Sequence, residues 1–281
     1  MKKDSLLAQT RRLLRRSGLK ARKGLGQHFL IDEEVLQLIA SAAELTPTDT
    51  VIEVGPGFGV LTEELARRAG QVFAVELDNN LAAILKQTSA PHSNVTVINQ
   101  DIMEIDPASL TNSPYKVVAN LPYYITSIVL RHFLEASPKP EMMMVMVQKE
   151  VAEAIAAEPG RRSVLSISVQ LYGKPRIIDY VPAQSFYPAP EVDSAILKIE
   201  VYPQPAVAIR DEKSFFEVVQ AGFTASRKQI ANSLAQGLGI SKAEALSLLE
   251  KANVAPQRRA ETLTLEEWAQ LCQVIESSKE K

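Results

Sequence analysis

Short, unbroken apolar runs alternate with segments whose apolar positions recur every three or four residues over roughly the first two hundred positions of the chain. Thr50–Val54 (TVIEV), Val72–Glu76 (VFAVE), Val95–Ile98 and Lys116–Ala119 have the continuous apolar character of strands covered on both faces. After the first of them comes a helical pattern, with Val60, Leu61, Leu65 and Ala66 on one side and Thr62, Glu63, Glu64 and Arg67 mostly on the other. Tyr202-Pro-Gln-Pro205 reads as a linker. Beyond it only the helical period remains, over Ser214–Gly222, Lys228–Gly237, Lys242–Lys251 and Leu265–Ser277. Ser241 and Thr264 stand before two of these segments as N-caps, with Glu244 and Glu267 three residues on, the spacing of a capping box. Trp268 and Leu271 are expected to bury one side of the last helix, and Cys272 to be a small core residue there. The pattern predicts an α/β, doubly wound fold followed by a small all-helical domain. The divisions expected are a basic N-terminal segment 1–24, a main domain 25–205 and a helical domain 206–281.

The strand ends carry the candidate chemistry. The first strand runs into Gly55-Pro-Gly57-Phe-Gly59, and strand, glycine loop and helix together let a backbone approach a nucleotide closely. Glu76 ends the second strand 21 residues after Gly55, a position suited to accept from ribose hydroxyls. Asp101 follows the third and is placed to accept from an adenine amine. The fourth leads into Asn120-Leu121-Pro122-Tyr123. There the Asn120 side chain and the Leu121 carbonyl, restrained by Pro122, offer two acceptors to an exocyclic amine, while Tyr123 offers a stacking face. Such acceptors would draw an amine nitrogen toward tetrahedral geometry and free its lone pair as charge develops. Taken singly, each feature is also explained by a tight turn, a solvated acid, a capping Asp or a strand end. The set of four, on the edge where open α/β sheets bind ligands, points to a nucleoside-bearing cofactor. The G-x-G-x-G spacing departs from the G-x-G-x-x-G of dinucleotide sites and suits S-adenosylmethionine better.

These motifs resemble those of the small-subunit ribosomal RNA adenine dimethyltransferases, the KsgA family. Its relatives include resistance-type rRNA methyltransferases and a mitochondrial transcription factor. The likeness extends over Gly24–Asp32, Val51–Thr62, Ala74–Leu81, Asn99–Asp106, Asn120–Tyr123, Val147–Val151, Ser185–Ser194, Phe223–Leu234 and Gln257–Leu265. It implies a Rossmann-like S-adenosylmethionine methyltransferase fold and N6,N6-dimethylation of two adjacent adenosines in the 3′-terminal hairpin of small-subunit (16S-type) rRNA, within the pre-30S particle, late in its biogenesis. It also implies that Gln27, His28 and Leu30 cover the cofactor, that Gly55, Gly57 and Gly59 shape its loop, and that Glu76 with Leu77 takes the ribose. Asp101 with Ile102 would take the adenine, Asn120 would sit beside the transferred methyl, and Phe186 would stack the target base opposite Tyr123. His28 stands where the family usually has Asn, which would make a contact there sensitive to imidazole titration. The Pro159–Leu165 loop is shorter than the family's, and Ala225–Lys228 carries fewer arginines.

Composition narrows the classes. The chain has 281 residues, 46% hydrophobic and 23% charged, ordinary for a soluble globular protein. No apolar run approaches the roughly 18 residues of a membrane span, and the basic N-terminus lacks the apolar core of a secretory signal. One cysteine and no His/Cys cluster argue against disulfides and structural metal, so a cytoplasmic, metal-independent protein is expected, with nothing demanding more than a monomer. The net charge of −2 does not suggest a nucleic-acid binder, yet residues 1–24 hold nine Lys or Arg and one acid. That segment reads either as a solvated, flexible tail or as a phosphate contact. Arg161-Arg162, Arg227-Lys228 and Arg258-Arg259 add basic pairs. Two alternatives share the front half of the chain: a resistance-type methyltransferase acting on large-subunit rRNA, and a non-catalytic assembly or RNA-binding factor. A dinucleotide dehydrogenase is a more distant reading.

Overall fold

The computed structural model describes residues 5–19 and 26–279. Gly24 and Leu25 of the first motif, and Lys2, Lys3, Asp4, Lys20, Arg22 and Lys23 of the basic segment, lie outside the described residues. The chain forms two units: Met1–Ala152 with Pro175–Val201, and Glu153–Lys174 with Tyr202–Lys281.

The first unit opens with α1 (Leu6–Ser17), β1 (Phe29–Leu30) and α2 (Glu33–Ala42), then alternates β2 (Thr50–Val54), α3 (Val60–Ala66), β3 (Gln71–Val75), α4 (Asn79–Thr88), β4 (Val95–Ile98), β5 (Tyr115–Asn120), α5 (Thr126–Leu134) and β6 (Met142–Gln148). In chain order α6 (Lys149–Ile155) follows, then α7 (Val164–Gln170), which belongs to the second unit, and β7 (Gly173–Val181), β8 (Phe186–Tyr187) and β9 (Ser194–Val201). Seven strands form one sheet in the order β4-β3-β2-β5-β6-β9-β7. Pairing is parallel from β4 through β6, and β9 lies antiparallel to β6. The four strands expected from the apolar runs are all present, two of them shifted or lengthened by a residue: Glu76 falls just beyond β3, and β5 reaches Asn120. Burial accounts for three of those runs, since Val51, Ile52, Val72, Val117 and Val118 are almost wholly removed from water, whereas β4 lies at the sheet edge with Thr96 exposed and Val95, Val97 and Ile98 only partly buried. Strand order reverses between β2 and β5, so their carboxyl ends open the crevice in which doubly wound sheets bind ligands.

The basic N-terminal segment is not a featureless tail across Leu6–Ser17. It is a helix capped by the Ser5 side chain and ended by Gly18 in the left-handed conformation. Leu6 joins the main core, and Leu13 and Leu14 pack against a cluster of Phe29, Phe58 and Leu81.

The second unit contains α7, α8 (Glu212–Phe223), α9 (Ile230–Leu238), α10 (Lys242–Lys251) and α11 (Leu265–Lys279). The boundary expected near 205 falls at Val201, and Glu153–Lys174 belongs with the helices rather than with the main domain. Hydrogen bonds explain the reassignment: Gly160 N–H to the Glu261 carbonyl (2.7 Å), Tyr202 N–H to Tyr172 (2.7 Å) and Ala206 N–H to Leu171 (2.7 Å). Trp268 is fully buried and stacks on Phe223, with centroids 5.8 Å apart. The Thr264 capping box forms through both arms, Glu267 N–H to Oγ1 (3.3 Å) and Thr264 N–H to the Glu267 carboxylate (2.8 Å). At Ser241 the hydroxyl accepts from Glu244 N–H (3.2 Å). Cys272 is buried. Arg258, one of the basic pairs, is committed to structure: it grips both oxygens of Glu267 and donates to the Thr262 carbonyl (2.5 Å). Arg162 likewise reaches the Leu263 carbonyl (3.3 Å). No helix among the described residues is long and apolar enough to cross a membrane.

Candidate active site

The carboxyl ends of β2, β3, β4 and β5 surround a cavity of about 310 Å³, and segment 26–30 forms a further wall. Gly55 and Gly57 line it in left-handed conformations that L side chains rarely adopt. A Cβ on Gly57 would sit 3.2 Å from the Phe29 ring, so glycine is what lets that phenyl close over the loop. Gly59 does not line the cavity. It caps the start of α3 at φ 85°, and a Cβ there would lie 2.4 Å from Leu85 Cδ1, so only glycine lets the loop pass this close to helix α4.

Glu76 braces the site from beneath. One carboxylate oxygen accepts from Gly57 N–H (3.0 Å) and the other from Asp78 N–H (2.9 Å), tying the glycine loop to the turn after β3. Burial raises its pKa, and those backbone hydrogen bonds only partly offset the shift. Asn99 fixes the same turn by donating to the carbonyls of Glu76 (2.9 Å) and Leu77 (3.3 Å). Asp101 caps a 3-10 turn, its Oδ1 accepting from Met103 N–H (3.0 Å), and it lines the cavity with Ile102.

Asn120 and Pro122 close the β5 side. Asn120 Nδ2 donates to the His28 carbonyl (3.2 Å), which fixes the amide and leaves Oδ1 as its acceptor. His28 is itself held by a bond between Nδ1 and the Pro188 carbonyl (2.7 Å). Its ring stacks on Tyr123 with centroids 5.8 Å apart. Tyr123 does not line the cavity; its hydroxyl pairs with Ser194 Oγ (2.7 Å), and burial raises its pKa. Leu121 is buried, with its N–H bonded to the Met146 carbonyl (3.1 Å).

Of the residues expected at the site, Gln27, His28, Leu30, Gly55, Gly57, Glu76, Leu77, Asp101, Ile102, Asn120 and Pro122 converge on one cavity. Phe186 does not. It is 3% exposed, pairs with Leu30 across the β1–β8 ribbon and belongs to the main core. Sequence reasoning missed Glu53, which lines the cavity at 1% exposure and whose Oε2 has no hydrogen-bond partner among the described residues. Burial, with the Glu76 charge adding to it, pushes its carboxyl up to about 8. An acid inside an apolar strand immediately before a glycine loop was a readable signal. Tyr124, 53% exposed, and Ile128 also line the cavity and were missed.

A switch-point crevice with a glycine cradle, an acid after the second strand and an amide acceptor after the fourth defines a Rossmann-like protein built to hold a nucleoside. Residues 18–273 match the profile of the family described as ribosomal RNA adenine dimethylase, and the chain belongs to that family. It is 55% identical over 273 residues to the ribosomal RNA small subunit methyltransferase A of Dehalococcoides mccartyi, covering 96% of this chain and 94% of the other. The protein of the same description from Enterococcus faecalis is 42% identical, covering 97% and 96%. Among solved structures, the 23S rRNA methyltransferase ErmE superposes with a TM-score of 0.70 at 31% identity, covering 88% of this chain and 99% of that one. A dimethyladenosine transferase from Plasmodium falciparum gives 0.76 at 23% identity, covering 90% and 98%, and supports the fold.

Proposed function

We propose that this protein dimethylates N6 of adjacent adenosines in small-subunit rRNA, using S-adenosylmethionine, and that it acts as a cytoplasmic monomer on the assembling small subunit. The observation that carries the chemistry is the Asn120 amide, pinned by the His28 carbonyl so that its oxygen is an acceptor beside the cavity. The small-subunit assignment rests on relatives at 55% and 42% identity that match over more than nine-tenths of both chains. The ErmE likeness favours a second reading, a large-subunit substrate, at lower identity.

The residues present suit the cofactor. Each Glu76 oxygen holds one backbone N–H and keeps acceptor capacity for ribose hydroxyls. Asp101 has Oδ2 remaining for an adenine amine, and the Gly55–Gly57 backbone leaves room for close approach. When bound, S-adenosylmethionine supplies an electrophilic methyl on a sulfonium sulfur. Asn120 Oδ1 and the Leu121 carbonyl would accept the target amine's hydrogens, orienting its lone pair and stabilising the positive charge that develops on nitrogen. No strong base is required, because a methylated amine cation conjugated to the ring loses its proton readily to water.

The test is incubation of purified protein and S-adenosylmethionine with undermethylated small subunits and, separately, large subunits, followed by mass spectrometry of the nucleosides. N6,N6-dimethyladenosine from small subunits alone is expected. Product on large subunits alone would transfer the protein to the second reading, and no product on either would refute the enzyme assignment.

A further inference from the structure

Helix α1 has two faces with different fates. At about 100° per residue, Arg11, Arg12, Arg15 and Arg16 fall within an arc of about 140°. All four are exposed, and no acidic residue occurs between Ser5 and Leu19. The opposite arc holds Leu6 and Thr10, both buried, and Leu13 and Leu14, partly buried. Leu13, Leu14 and Leu19 press on Phe29, Phe58 and Leu81, and those three residues line the cofactor cavity from its other side. The helix is therefore the outer support of a wall whose inner surface is the site. A second tie runs through Arg11, whose guanidinium lies 5.1 Å over the Tyr187 ring. Tyr187 pairs with Phe29 in the β1–β8 ribbon, and the next residue, Pro188, supplies the carbonyl that holds His28.

We infer that the arginine face of α1 binds RNA phosphates and that, because the other face braces the cavity wall, RNA engagement and cofactor binding reinforce one another. The inference rests on the RNA-methyltransferase reading above. Charge complementarity selects the partner: four guanidiniums on one turn-spanning face suit a phosphate backbone. An anionic membrane would attract the same charges, but interfacial helices bury their apolar face in lipid, and here that face is already spent on the core. Reciprocity follows from linkage. If bound RNA holds α1 down and so stiffens the wall, the cofactor must hold RNA more tightly by the same factor.

The test uses the full-length protein, a variant carrying R12Q, R15Q and R16Q that keeps Arg11 on Tyr187, undermethylated small subunits, and S-adenosylhomocysteine as a non-reacting occupant of the cavity. Subunit affinity is measured across a salt series, and S-adenosylhomocysteine affinity with and without subunits. The variant should lower the log–log salt slope by about 2 to 3, from three phosphates at roughly 0.7 to 0.9 each. Its S-adenosylhomocysteine affinity without subunits should equal wild type, which also reports an intact fold. Wild type should bind S-adenosylhomocysteine about fivefold or more tightly on subunits, and the variant should lose that gain. An unchanged slope would overturn the phosphate contact, and a lowered slope with the gain retained would overturn the coupling. Arginine-dependent binding to vesicles containing phosphatidylserine, with an unchanged subunit slope, would assign the face to a membrane instead. Wild type that binds large subunits but not small ones would refute the small-subunit reading, an outcome separate from all of these.

Discussion

Replacing Glu53 by Gln should flatten the pH dependence of this protein's stability. The wild-type carboxyl is buried at 1% exposure and ionises only near pH 8 in the folded chain, against 4.5 as its ordinary value. A folded-state value raised in this way contributes stability that is fully present below the unfolded value and is lost as pH rises through the folded one. Between about pH 4.5 and 8 the unfolded chain gives up the proton while the native state retains it, so unfolding becomes more favourable with each step upward. A separation of about three and a half units, at about 1.4 kcal/mol each, sets a loss on the order of 5 kcal/mol across that window. Glu76, also raised, acts in the same direction, so the difference between wild type and Glu53→Gln isolates the one group. Guanidinium unfolding of both proteins without ligand, at intervals from pH 5 to 8.5, reads it directly. The gap in favour of the Gln variant should widen with pH, with a slope approaching 1.4 kcal/mol per unit. Parallel profiles would refute the reasoning and mean that Glu53 is ionised, with a partner, in the native protein.

Three further outcomes follow from the geometry. Asn120→Ala should cut methylation of undermethylated small subunits by about a hundredfold or more while leaving subunit binding within about twofold, as scored by nucleoside mass spectrometry and filter binding. Gly59→Ala forces a Cβ to within 2.4 Å of Leu85 Cδ1 at a φ of 85° and should cost about 1–3 kcal/mol in denaturant unfolding. Glu267 is pushed up by partial burial, but Arg258 and the Thr264 N–H outweigh this and hold its carboxyl below the usual range. Its contribution is therefore present above the unfolded value and lost as pH falls through the folded one. Glu267→Gln should remove that acid-side loss, on the order of 1 kcal/mol, in unfolding curves taken from pH 7 to 3.

The central strands were legible because burial on both faces leaves an unbroken apolar run, and the polar residues that end them stand out against it. Asn120, Glu76 and Asp101 converge because parallel pairing brings those ends to one edge of the sheet. What the sequence hid depends on contacts between distant residues. Phe186 sits in a motif associated with base binding, yet its orientation follows from pairing with Leu30, a register no local pattern reveals. The membership of Glu153–Lys174 was hidden for the same reason, since Gly160 and Arg162 bond to Glu261 and Leu263. Helix α1 is a different failure. Leu6, Leu13 and Leu14 lie at helical spacing, but they are interleaved with so many arginines that net charge masks the apolar face beneath it.

The β1–β8 ribbon has a consequence for how the protein is made. Strands β2 to β5 can associate in the order they leave the ribosome, each beside a neighbour already synthesised. Phe29 and Leu30 have no such neighbour until Phe186 and Tyr187 have emerged, and the His28 ring waits one residue longer for the Pro188 carbonyl. The wall formed by residues 26–30 is thus among the first parts of the cavity to be translated and among the last to be held in place. A nascent chain halted before residue 186 keeps its glycine loop, Glu76, Asp101 and Asn120 but leaves one side of the cavity without its strand partner. Completion of the site is in this sense a check on completion of the domain.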